Sequence, residues 1–250
     1  MRALSLPYLP EHTIFGVLVD FRTDQKIIKN IEKLGIAVYR SREVQTVHPA
    51  IQGHADIGLC HVGKETFVCE PTLYEYYKQL FDGLPINLIA GKSILTSTYP
   101  QDIAYNVARI GSFAFHNFSH CDPKISEQFK RLGVHMITVA QGYSKCNLCP
   151  ISENALITED ESIYKHAVKA GFDVLKIAKG YVRLDGFPYG FFGGASGMLG
   201  PKCLAVTGSL CYHPDRKAIS AFCAKYDVKI YELSQEIPVD IGSILPIFEE

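Results

Sequence analysis

A glycine, a histidine and an aspartate stand together at Gly53-His54-Ala55-Asp56, and a lysine-cysteine-asparagine run stands at Lys145-Cys146-Asn147. An imidazole can take up or release a proton near neutral pH. A cysteine attacks carbon only as the thiolate, and a free thiol of pKa about 8.5 is mostly protonated unless a cation lies beside it. Lys145 or a protonated His54 would be that cation. Asp56, Asp102 and Asp240 could pair with a planar cationic group through two parallel hydrogen bonds. Asn106, Asn147, Ser196 and Ser243, with Gly193 and Gly194, complete the set of polar and small residues. Structural roles serve some of these residues as well. On a strand, His54 and Asp56 share a face and can satisfy one another. Cys146 can pack as a small apolar side chain, as most of the eight cysteines do in their apolar runs. Cys146-x-x-Cys149 alone is weak grounds for redox or zinc chemistry, because strand geometry sends the two thiols to opposite faces and zinc needs two further ligands. His116, His120 and Cys121 are near in sequence; no metal site is assigned.

These residues lie far apart in the chain, and a repeat is what gathers them. From Gly53 and again from Gly142 the sequence runs strand, turn, strand, helix, strand, returning to glycine after the same interval at Gly91 and Gly180. The second strands are TFVC and ALIT, and helices are predicted over 72–81 and 162–170, the latter with Ile163, Ala167, Val168 and Ala170 at helical spacing. Gly83 and Gly171 are their stops. Segments 100–141 and 187–235 follow the same plan, with helices predicted over 123–132 and 214–225. The first segment has a strand, a helix predicted over 24–34 and IAVYR, but no opening strand, and the tail PVDIGSILPI offers a strand with nothing after it.

The expectation is one α/β domain spanning 1–250, a five-bladed α/β propeller of strand-strand-helix-strand units. The units are 10–52 with 236–248, 53–91, 100–141, 142–186 and 187–235, closed by the terminal strands so that no sheet edge is left open. Opening strands would line its hub, where His54, Asp56, Asp102, Asn106, Lys145, Cys146, Asn147, Ser196, Asp240 and Ser243 would converge. The unmatched stretch 92–100, after Gly91, reads as a lid with a hinge.

Composition narrows the partners. The formal net charge of the 250 residues is −1 and no Lys/Arg block occurs, so a nucleic-acid partner is not expected. No apolar run approaches the roughly 20 residues of a membrane span. The N-terminus MRALSLPYLPEH lacks the apolar core of a secretory signal, and a cytoplasmic protein is expected.

Five units around a polar hub resemble the pentein fold of the guanidino-group-modifying enzymes: arginine and agmatine deiminases, dimethylarginine dimethylaminohydrolases and amidinotransferases. GHADI is similar to that superfamily's Gly-His-x-Asp signature, and the whole resembles an uncharacterised bacterial branch of it. The resemblance implies a cysteine nucleophile, a histidine acid/base and carboxylates that clamp a guanidinium, with no cofactor. Residue by residue, His54 and Asp56 match the signature and Cys146 the nucleophile by its place in its unit. The superfamily's cysteine sits near the C-terminus, whereas Cys146 is mid-chain, so the assignment is rotated by one unit. The function implied is a hydrolase or transferase acting on a small cationic guanidine or amidine. The alternative is a non-catalytic binding protein for a small ligand or a macromolecule, since the superfamily includes a ribosome-binding initiation factor.

Overall fold

Strand pairing in the computed structural model, which describes residues 2–250, follows the repeat. The first segment holds β1 (Arg2–Ala3), β2 (Ile14–Val19), α1 (Gln25–Glu32) and β3 (Ala37–Arg40). The second holds α2 (Ala55–Gly58), β4 (Leu59–Gly63), β5 (Thr66–Cys69), α3 (Tyr74–Leu80) and β6 (Asn87–Ala90). The third holds β7 (Ala108–Ile110), β8 (Phe113–His116), α4 (Pro123–Arg131) and β9 (His135–Thr138). In the fourth are α5 (Ser144–Asn147), β10 (Leu148–Ser152), β11 (Ala155–Thr158), α6 (Glu161–Lys169) and β12 (Asp173–Lys176). The last comprises β13 (Ser196–Gly200), β14 (Cys203–Val206), α7 (Arg216–Lys225) and β15 (Lys229–Glu232), followed by β16 (Leu245–Glu249).

These strands form five small sheets, four of them three-stranded. In each three-stranded sheet the opening strand runs antiparallel to the second, which pairs in parallel with the third across the unit's helix. Parallel neighbours need such a crossover, because a tight turn can only reverse the chain. The remaining sheet has the order β1-β16-β2-β3, with β16 antiparallel to β2. The tail thus contributes the opening strand that the first segment lacks.

Three of the helices, α1, α4 and α6, begin where an aspartate side chain accepts a free backbone N–H. Asp160 accepts from the Ile163 N–H at 2.8 Å to start α6, and Ile163 and Ala167 form its buried face. Gly171, at φ +90°, follows its end. Asp122 caps α4 through the Lys124 N–H at 2.8 Å, with Pro123 in the first turn. Three apolar cores join neighbouring segments: Phe67, Tyr77 and Phe129 in one, Leu148, Ile163 and Ile219 in the second, and Val17, Ile31 and Ala205 in the third. Each such large side chain removed from water contributes about 1.5–3 kcal/mol.

One expectation is corrected in detail. Apart from Ser196, the first residue of β13, the polar hub residues precede the opening strands, on the one-turn helices α2 and α5 and on loops. Segment 92–100 does not wall the hub pocket described below. Its start is tied down by the second oxygen of Asp122, which accepts the Lys92 and Ser93 N–H groups at 2.7 Å each. Gly91 leaves room for the Tyr105 ring, which a Cβ there would strike.

Candidate active site

One run of hydrogen bonds at the hub visits all five segments. Ser243 Oγ lies 2.9 Å from Asp56 Oδ2, and Asn106 Nδ2 donates to the Asp56 carbonyl at 3.3 Å. Asn106 Oδ1 accepts the Lys145 N–H at 2.8 Å, which fixes α5 against the third segment. The Gly194 N–H donates to the Cys146 carbonyl at 2.7 Å, and the Ser243 N–H donates to the Gly194 carbonyl at 2.8 Å. Segments distant in sequence are thereby held in register by buried bonds.

Cys146 is buried within this network. Its Sγ lies 3.1 and 3.3 Å from the two Asp56 carboxylate oxygens, which accept its S–H, and receives Asn106 Nδ2 at 3.2 Å. Burial pushes the thiol well above its ordinary range, and the negative charges of Asp56 and Asp240 push it further; the Asn106 bond works in the opposite direction. The resting side chain is therefore a protonated thiol at neutral pH. Lys145 does not reverse this, because its Nζ donates to Ser243 Oγ at 2.8 Å and stands 4.8 Å from the centre of the Tyr8 ring.

His54 and Asp56 do not pair. His54 is the residue before α2, and two residues on in a helical turn are not on the same face. His54 Nδ1 instead lies 3.8 Å from Asp240 Oδ1, buried and with no hydrogen-bond partner among the described residues. Asp240 accepts the Phe191 N–H at 2.8 Å and the Gly242 N–H at 2.9 Å, and burial raises its carboxyl pKa. Ligand atoms of His54, Cys146 and Asp240 all lie within 4.8 Å of one another, a spacing that could hold a metal ion. Two glycines permit this approach: a Cβ on Gly194 would collide with the Asp240 carboxylate, and one on Gly242, at φ +64°, with His54. Gly194→Ala is expected to lower stability by about 1–3 kcal/mol through this overpacking, read as an earlier midpoint in denaturant unfolding.

His54, Cys146 and Asp240 open onto a cavity of about 80 Å³ whose other walls are Ile51, Ile57, Tyr143, Leu184, Phe187, Tyr189 and Phe191. Other expected hub residues take supporting positions. Asp102 holds the Tyr143 hydroxyl, Asn147 accepts Thr158 Oγ1 at 3.0 Å, and Ser196 Oγ stands 3.4 Å from the Gly193 carbonyl. Cys149 lies in β10, away from the turn that carries Cys146, and burial lifts its thiol to about 11. Both cysteines are free thiols.

Sequence reasoning missed the aromatic wall, which lies outside the repeated elements, and Glu159. Glu159 directly follows β11, as Asp20 follows β2 and Glu70 follows β5, so aligning the units by their second strands would have exposed it. Asp20 is committed to Arg22, 2.6 Å away.

The fold is that of the pentein superfamily, shared with solved guanidino-modifying enzymes. Inosamine-phosphate amidinotransferase from Streptomyces griseus superposes with a TM-score of 0.60 at 10% identity, over 99% of this chain and 97% of that one. Agmatine deiminase from C. jejuni gives 0.58 at 10% identity, over 98% and 96%. DDAH from Pseudomonas aeruginosa, solved with citrulline, gives 0.54 at 7% identity, over 89% and 92%. The chain belongs to the family described as "Family of unknown function (DUF6873)", which matches residues 18–245. No curated protein matches it by sequence. Among the described residues no helix is long and apolar enough to cross a membrane.

Proposed function

We propose that the protein is a hydrolase or transferase acting at the central carbon of a small guanidine or amidine, with Cys146 as nucleophile. The observation that carries this reading is the Cys146 thiol set between the Asp56 carboxylate and an unpartnered, buried His54, on the wall of a pocket. The hub run of hydrogen bonds through all five segments supports a single domain closed as a five-bladed propeller, with the site at its centre.

Two carboxyl groups, Asp56 and Asp240, stand close to Cys146 at the hub. A guanidinium or amidinium beside them supplies a balancing positive charge, and the same charge relieves the repulsion that keeps Cys146 protonated. The thiol then gives its proton to His54 and the sulfur attacks the amidine carbon. The protonated His54 returns that proton to the departing amine, leaving an S-linked amidinium on Cys146. Water, or an acceptor amine in a transferase, adds to that carbon with His54 as base, and the C–S bond breaks to restore the thiol. Asp240 orients the imidazole. Asn106 holds the sulfur, and Asp102 acts through Tyr143 on the pocket wall.

Chloroacetamidine tests this: the sulfur displaces chloride and forms a C–S bond. Selective alkylation of Cys146 on native protein is expected, slowed at least about tenfold in His54→Ala and absent in Cys146→Ser, as read by peptide mass spectrometry. No alkylation, or alkylation spread over exposed Cys211, would sink the assignment. A ligand-binding protein without turnover is the second reading, favoured by the protonated resting thiol, and it would then stand.

A further inference from the structure

We propose that the hub accepts guanidines or amidines whose substituent is compact and uncharged, and discriminates against those carrying a carboxylate. This rests on the reading of the hub as a guanidine or amidine site and names its substrate class. Three properties of the pocket lead to it.

The first is size. The cavity measures about 80 Å³, far below the about 300–1,000 Å³ of ordinary small-molecule sites. It holds the planar cation and little more.

The second is the absence of a lysine or arginine partner for an anion. No lysine, arginine, asparagine or glutamine lines the cavity, whose walls apart from His54, Cys146 and Asp240 are aliphatic and aromatic. Lys145 is the hub's own cation, and its Nζ is engaged with Ser243 and the Tyr8 ring. A carboxylate carried into these walls would be stripped of water with only neutral tyrosine hydroxyls to replace it, and that of Tyr143 is already given to Asp102.

The third is the charge of the next compartment. A groove of about 340 Å³ adjoins the pocket and shares Leu184 and Asp240 with it, so a longer substituent would enter there. Asp20, Asp24, Asp185 and Asp240 line it against only Arg22 and Arg183. Arg22 is already bonded to Asp20, to the Pro49 carbonyl at 2.7 Å and to the Ala50 carbonyl at 2.9 Å. Arg183 stands 3.6 Å from Asp185. A carboxylate arriving in the groove meets a surplus of like charge.

Ethylguanidine and guanidinoacetate are close in size and differ chiefly by the carboxylate, which makes them the discriminating pair. Their affinities would be measured by calorimetry on wild type and on Cys146→Ser, alongside their protection of Cys146 from chloroacetamidine. Ethylguanidine is expected to bind at least about tenfold more tightly, a difference of about 1.4 kcal/mol. Leu184→Arg, which puts a cation at the boundary between pocket and groove, is expected to narrow that ratio. Equal or tighter binding of guanidinoacetate overturns the inference and leaves the proposed function standing. Alkylation of Cys146 with neither compound binding does the same. No alkylation but selective binding of ethylguanidine keeps the inference and removes the nucleophile. No alkylation and no binding removes both.

Discussion

Asp56→Asn is expected to make Cys146 more reactive toward a neutral electrophile while costing it its preference for a cationic one. Chloroacetamide and chloroacetamidine are close in size and shape and differ in charge, so their alkylation rates separate the two effects. The Asp56 carboxylate accepts the thiol proton at 3.1 Å and opposes a negative charge on sulfur from the same place. Removing that negative charge lets the buried thiol ionise more readily. The chloroacetamide rate at neutral pH should therefore rise, limited by how fully the thiol becomes ionised. The carboxylate is also half of the clamp expected for an amidinium, and a charged hydrogen bond of that kind is worth about 1.5–3 kcal/mol. The rate ratio of chloroacetamidine to chloroacetamide should accordingly fall at least about tenfold. A merely structural Asp56 would alter both rates in parallel, and a constant ratio would refute the clamp.

Glu159→Gln is expected to stabilise the protein above neutral pH and to leave it unchanged in acid. Burial, the largest influence, and the charge of Asp240 lift the Glu159 carboxyl from 4.5 to about 7, against the opposing bond from the Phe192 N–H. One oxygen accepts that N–H at 2.9 Å, and the other is buried without a partner among the described residues. The folded protein thus keeps a proton that the unfolded chain gives up from about pH 4.5. Its contribution is complete below the unfolded value and is lost as pH rises toward 7, beyond which the deficit is constant. The difference between the two values corresponds to about 3 kcal/mol. Glutamine keeps an acceptor for the Phe192 N–H and cannot ionise. Urea unfolding at pH 5 and pH 8 should show the variant's advantage growing across that interval, and an advantage independent of pH would refute the assignment. Phe192 adjoins Phe191, whose N–H is held by Asp240, so Glu159 also anchors the aromatic wall of the pocket.

The repeat was legible because it is written in local terms. TFVC and ALIT became β5 and β11, the predicted helices formed with ends shifted by one or two residues, and PVDIGSILPI supplied β16 to the sheet of β2. Convergence of Asp56, Asn106, Cys146 and Ser243 followed from unit position alone, because equivalent points in a repeat gather at one place. The structural alternative, in which His54 and Asp56 satisfy one another, does not hold. A period-two strand was assumed where the chain takes one helical turn, and the change of period sends His54 to Asp240 and Asp56 to Cys146.

The order of strands and helices, the split first unit, and the residue types at the hub are properties of the sequence by itself, since hydrophobic period and glycine placement act over a few neighbours. The charge state of Cys146, the approach of His54 to Asp240 and the apolar wall from 184–191 were decided only by the tertiary structure. Each depends on which distant segments remove water and place a charge within a few ångströms, and at that range burial outweighs the type of residue next in the chain.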